Sequence, residues 1–142
     1  MPKTFLFLFF GLIFLSCSNE SSQKIIQGEI YGTTWQLKYF SENKEVPIKA
    51  IIIKELNRID DLFSHYKDDS LTSLINNNKI DLREADEEWR KLDQLGWNIH
   101  SKSKGYFNHK IMGNYDFNSF AKGYAVDKVS DLLKANNINN YM

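Results

Sequence analysis

The residues with most to offer chemically lie near the C-terminus, in Asp116-Phe117-Asn118-Ser119-Phe120-Ala121-Lys122-Gly123-Tyr124-Ala125-Val126-Asp127. An acid precedes a helix start, a lysine falls in the first turn, and a glycine stands beside it. The helix macrodipole disfavours a cation at that end, so Lys122 sits there most cheaply beside an anion. Free backbone N–H groups of the same turn would bind that anion too. Gly123 inside a helix costs about 1 kcal/mol against alanine, which implies a close approach by another group. Surface pairing of Lys122 with Asp116 or Asp127 accounts for the charges equally well, and spacing alone leaves both readings open.

Other catalytic signatures are missing. The chain has no glycine-rich dinucleotide fingerprint, no phosphate loop, no nucleophile elbow and no paired-histidine zinc motif. His65, His100 and His109 share no helix face and read as ordinary surface or half-buried histidines. The single cysteine excludes a disulfide framework and, with so few histidines, a Cys/His zinc cluster. Eighteen basic and 18 acidic side chains cancel in the 142 residues, so no basic face is implied and nucleic acid is not an expected partner. A chain that is 42% hydrophobic and 14% aromatic, with two prolines, is neither disordered nor collagen-like. Its length suits one domain.

The elements that must position the C-terminal segment follow from periodicity. Ile25 to Tyr39 reads as strands broken at Gly32-Thr33-Thr34, and Ser41 to Glu45 as a polar turn. Ile48, Ile52, Leu56 (or Glu55), Ile59 and Phe63 predict a helix from about Pro47 to Phe63, with Asp60 and Asp61 on its wet face. Asp68-Asp69-Ser70 caps a short helix from Leu71 to Ile75, ended by Asn76-Asn77-Asn78. Trp89, Leu92, Leu95 and Ile99 mark the buried face of a helix over 84–101. Tyr106 to Met112 reads as a strand before a tight turn at Gly113-Asn114. A last helix spans Ser119 to Ala135, burying Ala125 or Val126, Val129, Leu132 and Leu133. Ile138 to Met142 begins a further strand. Mixed strands and helices in this order give an α+β or α/β class.

The N-terminus reads as an address. Lys3, the apolar run Phe5 to Leu15, and Ser16-Cys17 ahead of a polar stretch form a secretory signal too short to span a bilayer. Ending in Leu15-Ser16-Cys17, it resembles a bacterial lipoprotein signal over residues 1–16, with Cys17 as the lipidated first residue of the mature chain. An ordinary signal peptide that happens to contain a cysteine is the alternative. Lipidation implies attachment to the cell membrane on its extracytoplasmic, periplasmic side. Residues 17–27 would then be the lipidated cysteine and a flexible tether, and residues 28–142 the folded part.

Four segments together resemble the ApbE family of FAD:protein FMN transferases. Ala121-Lys122-Gly123-Tyr124-Ala125-Val126-Asp127, with Asp116 before it, is similar to the family's Lys-Gly-Tyr-Ala-x-Asp signature. Tyr31-Gly32-Thr33-Thr34-Trp35 resembles its opening strand motif. Ile59 to Ser70, followed by Leu74-Ile75-Asn76, resembles its helix, Phe-Ser-x-Tyr and Asp-Ser block. Ser103-Lys104-Gly105-Tyr106-Phe107-Asn108 resembles its Ser-x-Gly-x-Phe-Asp turn, with asparagine where aspartate is usual.

The resemblance implies an enzyme that moves the FMN half of FAD onto a threonine or serine of a partner flavoprotein, with Mg2+ assisting. It implies flavin contacts at Tyr31, Tyr66, Tyr106, Phe107, Asn108, Asp116 and Lys122, although Tyr66 and Tyr106 also read as packed core aromatics. Ser119 falls where the family offers a metal ligand, and a homodimer is left open. Only His109 to Tyr115 bridges a gap that the family fills with a longer segment. The family's main metal-binding acid and threonine belong to its later half, so the chain is expected to be an N-terminal portion of the fold. A non-catalytic flavin- or partner-binding lipoprotein is the rival reading, and a degenerate, inactive product a third.

Overall fold

The computed structural model describes residues 22–41 and 46–142. The expected signal, Cys17 and most of the polar turn after Ser41 lie outside the described residues. Strands β1 (Ser22–Ile30) and β2 (Thr33–Ser41) form an antiparallel hairpin, with Ile26 opposite Leu37 and Lys24 opposite Tyr39. Tyr31 and Gly32 make the two-residue turn, both in the left-handed region at φ 54 and 65°. That geometry matches the twist of the flanking strands. Because β1 begins at Ser22, residues 22–27 of the expected tether are paired strand, a correction that follows from the complementary register of β2.

Helix α1 (Ile48–Phe63) buries the five positions that the spacing predicts, including Leu56 rather than Glu55. Helix α2 (Leu71–Asn76) is capped by Ser70, whose hydroxyl accepts from Ser73 N at 3.1 Å. After a 3₁₀ turn at Leu82–Glu84, Asp86 caps α3 (Glu87–Lys102) by accepting from Glu88 N at 2.7 Å. The helix therefore starts three residues later than its periodicity suggests. Leu95 is 45% exposed and Gly96 takes the buried place instead. The expected strand over Tyr106 to Met112 shrinks to β3 (Lys110–Ile111), which pairs with β4 (Asn114–Tyr115). Met112 and Gly113 form that turn, one residue before the expected one, at φ 50 and 89°. Helix α4 (Asn118–Ala135) buries Ala125 and Leu133 and leaves Val126 exposed.

The core runs from Leu37 and Tyr39 on the hairpin, through Ile52 and Ile59 of α1, to Trp89 of α3 and Leu133 of α4. Its Trp89 and Thr72 side chains are hydrogen-bonded, as burial of polar groups requires. The Trp89 indole N–H donates to Thr72 Oγ1 at 2.9 Å, and that hydroxyl donates to the Leu62 carbonyl at 2.7 Å. Beyond α4, Ile138 is buried and residues 140–142 run antiparallel along β2. Phe40 N donates to Asn140 O at 3.0 Å, while Lys38 and Met142 exchange bonds of 2.9 and 2.8 Å. The class is α+β. Among the described residues no helix is long and apolar enough to cross a membrane.

Candidate functional site

A cleft of about 200 Å³ opens between α1, the Ser64–Tyr66 loop and the first turns of α4, lined by Tyr31, Asp60, Tyr66, Asn118 and Lys122 among others. The hairpin turn delivers Tyr31 to one wall, where its hydroxyl donates to the Leu56 carbonyl at 2.8 Å. Burial pushes that hydroxyl's pKa up, and the carboxylates of Asp60 and Glu55 add to the shift, so it stays a donor. Asp60, read from the sequence as a wet-face residue, is half-buried in the cleft. Its pKa is raised chiefly by that burial, against the pull of Lys67.

The opposite wall is a ring of polar contacts. Ser64 Oγ accepts from Tyr66 N and Lys67 N at 3.3 and 3.2 Å, which bends the loop so that Tyr66 stands 79% exposed. The His65 ring lies on the Tyr66 ring, centroids 3.8 Å apart. His65 Nδ1 is 3.4 Å from Asp116 Oδ1, and the same oxygen accepts from Asn118 N at 2.9 Å. Asn118 Nδ2 reaches the Tyr66 hydroxyl at 3.4 Å. Asp116 thus serves the start of α4 and faces His65, not Lys122, which resolves one of the two pairings the sequence leaves open. Phe117 is the N-cap and offers no side-chain acceptor to the first turn. The close approach expected at Gly123 is absent: an added Cβ would meet nothing within 4 Å.

Four of the sequence-derived residues gather here, Tyr31, Tyr66 and Lys122 in the cleft and Asp116 behind it. Tyr106, Phe107 and Asn108 do not line this cleft. Tyr106 is 95% exposed after a turn in which Lys104 and Gly105 have φ 55 and 86°. Phe107 is held from behind by Ser103 Oγ, which accepts from its N–H at 3.0 Å, and packs edge-on against Phe120 of α4 at 5.7 Å. Asn108 Oδ1 accepts from Lys110 N at 2.9 Å. Ser119 is exposed in the first turn of α4. Asn118 and His65 belong to the ring but were missed from sequence. Their spacing carries no signal until the Phe63–Tyr66 loop and α4 are folded together.

Residues 31–114 match the ApbE family, more than half of the chain. The chain belongs to the ApbE family. The matched span holds Tyr31, Tyr66, Tyr106, Phe107 and Asn108, while Asp116, Ser119 and Lys122 follow it. A curated FAD:protein FMN transferase of Buchnera aphidicola subsp. Schizaphis graminum (strain Sg) is 30% identical over 102 residues, which is 71% of this chain and 30% of that protein. Flavin Transferase ApbE from Vibrio cholerae superposes with a TM-score of 0.74 at 19% identity, over 86% of this chain and 56% of that one. The apo flavinyl transferase ApbE of Pseudomonas stutzeri gives 0.73 at 21% identity, over 85% and 57%. The chain therefore spans under a third of the curated ApbE relative and rather over half of the solved structures.

In this ApbE chain the tyrosine of the Lys-Gly-Tyr run turns away from the cleft. Tyr124 donates to Glu88 of α3, and its ring meets Phe63 edge-on at 5.6 Å. Glu88 also takes two bonds from Arg58 of α1. One carboxylate thereby fixes α4, and Lys122 one residue-pair earlier, against both other long helices. Burial and the Glu88 hydrogen bond both raise the Tyr124 pKa, so its proton stays in place. The three histidines differ from expectation in one case: His109 is 1% exposed rather than at the surface.

Proposed function

We propose that the chain serves FAD:protein FMN transfer, holding FAD as substrate for delivery of its FMN half to a threonine or serine of an acceptor flavoprotein. The observation that carries this reading is one cleft that joins a flat exposed ring, Tyr66, with the Asn118 amide and the Lys122 ammonium at a helix start. A flavin dinucleotide presents the complement, planar rings joined through a pyrophosphate. Phosphoryl transfer of this kind rests on positioning and charge neutralisation, which Lys122 and the α4 N-terminus would supply to phosphate oxygens. Tyr106, Phe107 and Asn108 would extend the contact beyond the cleft.

Magnesium fits the described residues poorly. The ion wants near-octahedral oxygen ligands. Ser119 would lend one neutral oxygen, and no group of three or more carboxylate, histidine or cysteine side chains converges among the described residues. No step is therefore assigned to the metal here. Attachment to the cell membrane through Cys17, facing away from the cytoplasm, belongs to the same proposal.

Mixing the purified protein with FAD, Mg2+ and an acceptor flavoprotein tests the reading. Bound flavin is expected. Failure to bind flavin defeats the proposal. AMP release with flavinylated acceptor defeats the view that the described residues lack the metal site.

A further inference from the structure

His109 is the most enclosed ionisable side chain in the described chain, and the flavin reading makes no use of it. Its ring sits among aromatic neighbours. Trp97 and Phe117 lie 5.0 and 5.8 Å away between centroids, Phe120 5.9 Å, and Phe107 runs nearly parallel at 6.2 Å. Nε2 is 2.7 Å from Asp93 Oδ1. A carboxylate accepts, so Nε2 carries the proton and donates it. Nδ1 is buried with no hydrogen-bond partner. A ring with one satisfied and one bare nitrogen is held in a single orientation, because flipping it would bury an N–H without an acceptor.

The sequence makes room for this ring at a distance. A Cβ at position 96 would stand 2.6 Å from both Cε1 and Nδ1 of His109, closer than any side chain tolerates. Only glycine on that face of α3 admits the imidazole. The backbone of His109 then does the rest, since its carbonyl accepts from Asp116 N at 2.8 Å. One residue thus ties α3 to Phe107 and Asn108 immediately before it and to Asp116 after the β3–β4 turn.

We propose that His109 is a positioning residue, its ring pinned by Asp93 over Gly96 so that the Phe107–Asn108 turn and Asp116 are presented together to flavin. This rests on the flavin reading given above for what is positioned, but the pinning itself is independent of it.

The test uses the full chain and reads two things separately. Without flavin, nitrogen NMR of the imidazole should show a protonated Nε2 and a bare Nδ1. Hydrogen exchange at the Asp116 amide should speed up at least about tenfold in Gly96→Ala and in His109→Phe, as a lost buried hydrogen bond implies. The Trp89 indole N–H, bonded to Thr72, should keep its protection and report that the rest is folded. With flavin, His109→Phe should weaken FAD binding about tenfold, and His109→Gln, whose amide still reaches Asp93, should recover most of it. If either variant loses the Trp89 protection, Asp93→Asn takes its place, since it keeps an acceptor for Nε2 but removes the charge. It should loosen Asp116 less than His109→Phe does. An Nδ1–H tautomer, or an Asp116 amide indifferent to these changes, overturns the pinning. Loosened Asp116 with unaltered FAD affinity overturns the positioning role. Absence of FAD binding in the unsubstituted protein counts against the functional reading and leaves the exchange result to decide the pinning alone.

Discussion

Glu88 of α3 grips the guanidinium of Arg58 on α1 with both carboxylate oxygens, at 2.6 and 2.9 Å. Glu55, a turn away on α1, takes the same guanidinium from the other side at 2.6 and 3.0 Å. The Arg58 hydrogen bond is the main reason that the Glu88 pKa falls below its ordinary value. A carboxyl whose pKa is lower folded than unfolded contributes stability above the unfolded value, and that contribution disappears as pH drops through the folded one. Arg58→Met should therefore cost about 1 kcal/mol near neutral pH, discounted for the solvent around Arg58. The difference from the unsubstituted protein should shrink toward zero in acid, once Glu88 is protonated. Urea titrations at about pH 7 and about pH 3 measure both; an equal loss at the two would show packing, not charge, to be responsible.

Thr72 is the hinge of the buried polar chain from Trp89 to Leu62. Thr72→Val keeps the shape but strands the indole N–H and the carbonyl in the core. A loss of about 1–3 kcal/mol is expected, the cost of an unsatisfied buried group. Thr72→Ser should lose far less. Chemical denaturation followed by tryptophan fluorescence distinguishes the two, and near-equal midpoints would mean that water reaches the site.

Lys122 borders the cleft, while Lys128 lies two turns along the same helix over the Tyr124 ring. In FAD titrations, Lys122→Ala should weaken binding by about 1.5–3 kcal/mol, as for a hydrogen bond to a charged group. Lys128→Ala should do little. Tyr66→Phe keeps the ring and gives up only the long contact to Asn118, so it should bind nearly as well, whereas Tyr66→Ala should not. Equal affinities throughout would place flavin elsewhere.

Much of this was legible in the sequence, and the exceptions share a cause. The α1 face was readable because Ile48, Ile52, Leu56, Ile59 and Phe63 report on one another within a single helix. The same logic misjudged α3 at Leu95, because Gly96 is buried for the sake of His109, which lies 13 positions on and belongs to another element. Ser22 to Lys24 read only as tether since their polar composition carries no sign of the partner strand that pairs with them. In the cleft, Tyr31 and Tyr66 came from motif resemblance, and Lys122 first from its place at a helix start. Asn118, Asp60 and His65 became visible only when the loop after α1 met the start of α4.

Cys17 lies outside the described residues, and its acylation is proposed from the short apolar run before it. Several acyl chains, at about 0.8 kcal/mol per buried CH₂, hold a protein on a bilayer. Radiolabelled palmitate should enter the natural protein and not Cys17→Ser, which should turn soluble or keep its signal uncleaved. No label in the natural protein would end the anchor proposal.

Strand β2 is bonded on both edges, and its two partners arrive at very different times. The hairpin with β1 closes across a two-residue turn, an event of microseconds. The bonds of Lys38 and Phe40 to Met142 and Asn140 join positions about a hundred residues apart. A chain made at roughly 5–20 residues per second leaves that second edge bare for about 5–20 s. Whether it emerges from a ribosome or through a membrane, the young protein carries an open strand edge through that interval, the kind that other chains can add to. The hazard belongs to its birth, and the arrival of residues 140–142 ends it.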